Sequence, residues 1–509
     1  MIFKNLKLGL LLGVTVFFTT GLSEGRAQSW VVTDKTQLAK LKAAVEASPE
    51  SYDTHLAYIR AMDFDSPELI SQYEEWIKQY PRSKMFPFVI GEALSRRTNP
   101  RAKTFLQKAL AIDPNYAAAW STLASDEELQ GNFENYSNYL GKAAAAAPDN
   151  ADYAFQYAFS FSAKDKEKYK KLSLDFVSRF PEHQRAAQSL YWLAYRTIND
   201  AEKIKYYERS RKEYPAAKYS WAAYSMGDYF NILLQSDIDK AIALAEEMAA
   251  VKEFEKEWPA LLTAAKGIAE AKKLMQQKKG AEALAVLDQV KLPKRSSSQR
   301  DLLLWKAQAN DLAGHTNAAY DSLMRAFTKS PSAVVKQKLV FYGKKMGKNA
   351  TGIEAEIDKR LAAVATPATS FSLKNYFTNG STSLEDYKGK VVLLTYWYPG
   401  CGPCRGEFPY FENVVRKFKG QDFVYVGINI YAKQSEYVIP FVKGSGYSFI
   451  PLEDVDKRAK GNMDNRGLAP MNFMIDKEGK LVFSDFRTDA GNEDELEMMI
   501  SMLLGEKKS

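Results

Sequence analysis

The sequence predicts two structural units, an all-α array of helical repeats over residues 31–363 and an α/β domain over residues 371–505. Three observations lead there. Prolines recur with a period near 34 residues through the first part. The pattern stops at residues 364–370, Val364-Ala365-Thr366-Pro367-Ala368-Thr369-Ser370, a linker by composition. Beyond it, short apolar runs alternate with helical stretches. One such run leads into Cys401 and Cys404, the only 2 cysteines in 509 residues.

The N-terminus reads as a secretory signal over residues 1–27. Lys4 and Lys7 give a positive start, residues 8–18 an apolar run, and Gly25-Arg26-Ala27 the small residues for cleavage before Gln28. The alternative is an uncleaved anchor, but the run is short beside the ~20 residues a membrane span needs. No cysteine follows the run, which argues against a lipid anchor, and no later stretch is long and apolar enough to span. The expectation is export, to the periplasm, with no stable membrane insertion after cleavage. An oxidising compartment pairs any two cysteines that can meet.

Net charge is +8, of which the signal contributes +2. Residues 366–509 carry 18 basic and 19 acidic side chains, so the excess lies in the first unit, spread along helices rather than in blocks. That describes a solvated mixed surface and gives no support for a nucleic-acid partner.

Pro49, Pro81, Pro114, Pro148, Pro181 and Pro215 stand 32 to 34 residues apart; Pro259, Pro293 and Pro331 come next at gaps of 44, 34 and 38. Proline suits the end of a repeat because it cannot continue a helix. The best unit runs from residue 117 to 150, with Trp120 and Leu123 on a first helix, Gly131 at the turn, Ala143 on a second helix and Pro148 at the end. This order resembles the tetratricopeptide repeat. Ala124 replaces the usual glycine and Glu127 the usual tyrosine. The longer gap before Pro259 suggests an extended helix or a break between sub-arrays. The tryptophans here are read as interhelical packing, with a peptide groove as the alternative. His55, His183 and His315 are the only histidines, scattered over different repeats and not candidates for ligation or catalysis.

In the second unit, residues 371–373 and 382–384 read as short strands. Residues 391–397 form a continuous apolar run, hence a buried strand. A helix comes next over about 401–418, then a strand over 423–429 and a helix over 435–443. Residues 471–475 and 481–484 flank Lys477-Glu478-Gly479 as a hairpin. Residues 494–504 close the chain as an amphipathic helix.

Cys401 falls where a buried strand hands over to a helix. There the free backbone N–H groups and the helix dipole favour a thiolate, the species that attacks a disulfide. Cys404, one turn on, can reach back and displace a partner from a mixed disulfide. Pro403 removes an N–H that would be unpaired anyway and stiffens the loop. As a staple the pair is poor: so small a ring is worth roughly 2 kcal/mol. Three other readings stay open. A zinc half-site needs about two further N or S ligands, and this domain has no other cysteine and no histidine. A peroxide-reducing cysteine wants threonine three residues earlier, where Tyr398 stands. An inert disulfide is the third.

The segments Ser383-Leu384-Glu385-Asp386-Tyr387-Lys388-Gly389-Lys390-Val391-Val392-Leu393, Tyr396-Trp397, and Cys401-Gly402-Pro403-Cys404-Arg405-Gly406-Glu407-Phe408-Pro409 are succeeded by Gly467-Leu468-Ala469-Pro470 and by residues 473–480. In order and spacing, residues 366–505 resemble the thioredoxin superfamily, in its exported TlpA/ResA-like branch. The resemblance implies that Cys401 attacks and Cys404 resolves. It implies that Pro470 is a cis-proline facing the pair, which the chemistry of X-Pro bonds allows. It also implies that Glu407, three residues past Cys404 on the same helix face, handles the proton Cys404 must lose. The alternative for Glu407 is a solvated helix glutamate. Pro409 is expected to kink the helix by freeing the Arg405 carbonyl.

There are departures. Gly400 stands where tryptophan is common, Thr395 where a buried carboxylate is common, and Met471 where threonine is common after the proline.

The sequence thus reads as an N-terminal all-α tetratricopeptide-like solenoid joined to a C-terminal α/β thioredoxin fold. The expected activity is exported thiol–disulfide exchange with protein disulfide or dithiol substrates through Cys401 and Cys404. Gly402, Pro403, Glu407 and Pro470 support them; no metal or cofactor is implied. The Gly402-Pro403 dipeptide and the resemblance favour a reductant, which needs a membrane-bound electron donor. A repeat-based interaction scaffold with a low-turnover docking domain is the alternative.

Overall fold

Polar caps and prolines punctuate the helical part. The computed structural model describes residues 34–505 except 65, 295, 379 and 457, so the expected signal segment lies outside the described residues. Nineteen helices, α1 (Lys35–Ala47) to α19 (Ala350–Val364), precede the first strand among the described residues. Ser51, Ser66 and Asp165 each accept a backbone N–H from the first turn of the helix they cap, meeting donors the helix leaves unpaired. Helices α1, α3 (Pro67–Gln79), α5 (Ala102–Ile112), α7 (Phe133–Ala146), α9 (Lys166–Arg179) and α11 (Asp200–Glu213) all end two residues before a period-marking proline. Pro259 behaves differently. It sits in the first turn of α14 (Trp258–Gln276), where its missing N–H costs nothing, after a 3-10 turn at Lys252–Phe254. The 44-residue gap therefore reflects an inserted turn and a proline that starts a helix.

The helices pack as a helical solenoid. Trp76, Trp192 and Trp258 are buried. His55 is buried too, its ring nitrogens 3.0 Å from the Tyr73 hydroxyl and 2.9 Å from the Pro49 carbonyl, and burial lowers its pKa. Glu127 on α6 (Ala117–Leu129) is buried, but Lys103 (2.6 Å), Asn132 (2.8 Å) and Asn135 (3.2 Å) bind its carboxylate. Burial acts to raise its pKa, and these donors outweigh it.

The second unit is a thioredoxin-like domain built on one sheet. Its strands are β1 (Thr366–Pro367), β2 (Ser372–Asn375), β3 (Ser381–Ser383), β4 (Val391–Trp397), β5 (Phe423–Asn429), β6 (Ile450–Glu453), β7 (Met471–Ile475) and β8 (Lys480–Ser484). They lie in the order β1-β8-β7-β4-β5-β6-β2-β3. β4, β5 and β6 run parallel and the other pairings are antiparallel. Helices α20 (Gly402–Val415), α21 (Ser435–Ser445) and α22 (Glu493–Leu504) complete it. All of β4 is buried, and its side chains alternate: Val391, Leu393 and Trp397 join one apolar cluster, Val392, Leu394 and Tyr396 the other.

Two expectations change. The segment read as a linker is partly folded: Val364 ends α19, and Thr366 and Pro367 pair with Leu481 and Lys480 at the sheet edge. Strand β6 was not expected. It lies between β5 and β2 even though Pro451 interrupts its donors, and proline inside a short run argues against an interior strand.

The solenoid and the sheet domain share packing. One cluster runs from Tyr320 and Leu339 of the last helices to Trp397, Phe441 and both cysteines. The Phe133 ring lies 6.2 Å from Phe441 and 6.3 Å from Tyr447. Tyr437 donates to Asp126 Oδ1 at 2.8 Å, and Tyr195 to Asp489 Oδ2 at 3.1 Å. Among the described residues no helix is long and apolar enough to cross a membrane.

Candidate active site

β4 ends at Trp397, and four residues later the chain enters α20. Cys401 is the N-cap of that helix, and the Cys404 backbone N–H donates to its sulfur at 3.2 Å. A sulfur in the N-cap position receives a donor that the first turn would otherwise leave unpaired. Gly402 and Pro403 fill the first turn, and Cys401 and Cys404 are disulfide-bonded with their Cα atoms 5.3 Å apart. Both are buried, at 1% and 0% exposure. The loop before them is held at two points. Gly400 N–H donates to Gln434 Oε1 at 2.6 Å, and Arg405 Nη1 donates to the Pro399 carbonyl at 3.1 Å. A side chain at position 400 would meet the Gln434 amide at 2.6 Å, so glycine fits where tryptophan is common.

The Ala469–Pro470 bond is cis. Met471 pairs with Tyr396, so Pro470 lies one register step further, beside Trp397, at the end of β4 from which the cysteine loop leaves. The sequence-predicted Cys401, Gly402, Pro403, Cys404 and Pro470 are thus brought to one end of the sheet.

Glu407 is not a solvated helix residue; it is 4% exposed. Its Oε2 accepts from Asn472 Nδ2 at 3.1 Å, and its Oε1 accepts from Arg487 Nε and from the Thr488 backbone N–H (3.4 Å). Burial raises the carboxyl above its ordinary value, against the pull of Arg487, Asn472 and Thr488. Thr395, where a carboxylate is common, donates to Asn472 Oδ1 at 2.9 Å. Asn472 therefore links the strand position that lacks an acid to the helix position that has one. Sequence reasoning missed Asn472, Arg487, Gln434 and the partner of Arg405. A buried polar residue in the apolar β7 run Met-Asn-Phe-Met-Ile was a usable signal for Asn472. The others come from distant loops and helices and carry no local pattern.

A family model described as Redoxin matches residues 363–500. Thiol-disulfide oxidoreductase ResA of Bacillus subtilis (strain 168) is 35% identical over 125 residues, which is 24% of this chain and 68% of the relative. The ResA of Geobacillus kaustophilus (strain HTA426) is 30% identical over 124 residues, 24% of this chain and 70% of the relative. A solved DsbF homologue from Corynebacterium diphtheriae is 25% identical, covering 28% of this chain and 88% of its own, with a TM-score of 0.25. Through residues 363–500 the chain belongs to the Redoxin family, and this thioredoxin-like domain is a thiol-disulfide oxidoreductase of the ResA-like kind.

Proposed function

We propose that the protein is an exported reductant that exchanges the Cys401–Cys404 dithiol with disulfides of protein substrates, while the tetratricopeptide-like solenoid binds partners or clients. The observation that carries this is Cys401 at the N-cap of α20 with the Cys404 N–H on its sulfur. That placement favours a thiolate. In the reductive half, the Cys401 thiolate attacks one sulfur of a substrate disulfide. That S–S bond breaks, and the leaving sulfur departs as a thiolate and takes a proton. Cys404 then loses its proton and attacks the Cys401 sulfur, releasing the second substrate thiol and forming the Cys401–Cys404 disulfide. Two electrons pass to the substrate. A membrane-bound dithiol donor returns them, becoming a disulfide itself and giving up the two protons that the restored Cys401–Cys404 dithiol takes.

Glu407, buried and raised, is suited to take the Cys404 proton, with Asn472 and Arg487 holding its two oxygens. Pro470 lies beside the end of β4 and presents backbone to the incoming disulfide. The positively started apolar segment within residues 1–27 supports export and a periplasmic location. The Gly402-Pro403 dipeptide and the ResA relatives support the reducing direction.

One observation favours the scaffold reading: both sulfurs are almost fully buried in a domain packed against the solenoid. Insulin-reduction assays on the full chain separate the two. Exchange predicts loss of activity in Cys401→Ser and Cys404→Ser, with Cys404→Ser accumulating mixed disulfides in exporting cells. Slow wild-type turnover and no trapped species would favour the scaffold.

A further inference from the structure

Glu128 lies in the last turn of α6, and Arg405 comes immediately after Cys404 on α20. Glu128 Oε2 is 3.1 Å from Arg405 Nη2, and the two side chains are only 21% and 10% exposed. The same guanidinium donates through Nη1 to the Pro399 carbonyl. Pro399 is two residues before Cys401, so one Arg405 side chain ties the two ends of the loop that carries both sulfurs. Its counter-charge belongs to the solenoid, 277 positions away in sequence. Tyr136 of α7 is a further group at this contact. Burial first, and then the Glu128 charge, raise its phenol, while Arg405 opposes them.

The approach of the solenoid to the sheet domain is well defined around this pair. Tyr437 of α21 bonds Asp126 two residues earlier on α6 (2.8 Å), and Thr98 Oγ1 donates to the Lys433 carbonyl at 3.1 Å. At Gly131, with φ +72°, an added Cβ would stand 2.4 Å from the Phe441 carbonyl oxygen and 2.7 Å from Ser445 N. At Gly444 it would stand 2.3 Å from the Gln130 carbonyl oxygen. Only glycine permits so close a backbone contact on both sides.

We infer that Glu128 is a positioning residue for disulfide exchange: by neutralising and holding Arg405 it sets the charge around Cys401, so that the solenoid tunes the redox pair. The inference rests on the reading of Cys401–Cys404 as redox-active. With Glu128 in place, the guanidinium beside the loop is paired. Without it, an uncompensated positive charge stays near the N-terminus of α20 and favours the Cys401 thiolate. A favoured thiolate stabilises the reduced form at neutral pH, which makes the couple more oxidising. Removing Arg405 instead leaves the Glu128 carboxylate facing the loop, which disfavours the thiolate and shifts the couple the other way. Removing both restores near-neutrality.

The test is redox titration of the full chain against glutathione at pH 7, with the thiols scored by alkylation. Wild type is compared with E128Q, R405M, R405K and the E128Q/R405M double variant. The expected result is a shift of about three- to tenfold in the dithiol–disulfide equilibrium constant for E128Q toward the reduced form. That is ~15–30 mV at 29.6 mV per tenfold. R405M shifts by a similar factor in the opposite direction, while R405K and the double variant stay near wild type. The rate of Cys401 alkylation against pH moves to lower pH in E128Q and to higher pH in R405M. A contact that only braces the structure would move both single variants the same way or leave the potential alone. Either result overturns the inference. A wild-type pair that does not titrate at all removes the reading beneath it, which is a different failure and is visible in the first curve.

Discussion

Asn472 Nδ2 donates to Glu407 Oε2 across 3.1 Å, and both side chains are buried. Asn472 stands two residues past Pro470, and Glu407 three past Cys404, so this bond joins the two segments that frame the sulfurs. Asn472, Arg487 and the Thr488 backbone N–H are the donors that hold the acid inside the domain.

Glu407 gives the first prediction. Burial raises its pKa in the folded chain, whereas unfolding returns it to about 4.3. Between those two values the folded state holds the proton more tightly. The Glu407 contribution is therefore complete below about pH 4 and is lost as pH rises through the raised value. The melting temperature of wild type minus that of Glu407→Gln should be smaller near neutral pH than at pH 4.5, falling as pH rises through the raised value. A flat or rising difference would show that Arg487 outweighs burial. In exchange, Glu407→Gln, with Cys404 intact, should slow the attack of Cys404 on the mixed disulfide by about 10²-fold, the low end for general acid–base help.

The second concerns the junction. Asp126 holds two donors, Tyr437 Oη at 2.8 Å and Gln130 Nε2 at 2.5 Å, in a buried setting that raises its carboxyl. Tyr437→Phe removes one donor and leaves the acceptor buried. The expected cost is about 1–3 kcal/mol, read as a drop in urea midpoint without a change in the shape of the transition. A loss under ~0.5 kcal/mol would mean that water replaces the phenol without penalty.

A third prediction separates backbone strain from contact. Gly131 and Gly314 both have positive φ, +72° and +82°. Around Gly314 nothing stands within 4 Å of an added Cβ, whereas at Gly131 two backbone atoms of α21 stand within 2.7 Å. Alanine at either site carries the strain of a left-handed conformation, about 1 kcal/mol. Gly131→Ala should in addition part α6 from α21, seen as a larger radius of gyration in solution scattering and faster proteolysis near Gly444. Gly314→Ala should leave the radius unchanged. Equal radii for the two variants would contradict the close packing.

Local signals in the sequence carried most of the architecture. A proline two residues past a helix end is a short-range stop signal, and it marked six helices from Pro49 to Pro215. Pro259 carried the same letter with the opposite meaning, because a first-turn proline and a terminating proline differ only in whether a helix lies after or before them. The uninterrupted run of β4 and the strand-to-helix step at Cys401 were equally local. Strand β6 was not, since Pro451 hides a strand whose hydrogen bonds are completed by β5 and β2.

The site divides in the same way. Cys401, Cys404, Glu407 and Pro470 lie in recognisable motifs. Arg487, Gln434 and Glu128 reach the same region from loops and helices whose own spacing says nothing of it. Packing between elements tens to hundreds of residues apart decides those partners, and one sequence does not display it.

The most direct test of the central claim is the midpoint potential of the wild-type Cys401–Cys404 couple, equilibrated with glutathione at pH 7. A redox-active reductant predicts a reversible two-electron transition near thioredoxin's value of about −270 mV. A midpoint below about −300 mV, where structural disulfides lie, would contradict it and leave the pair as a staple.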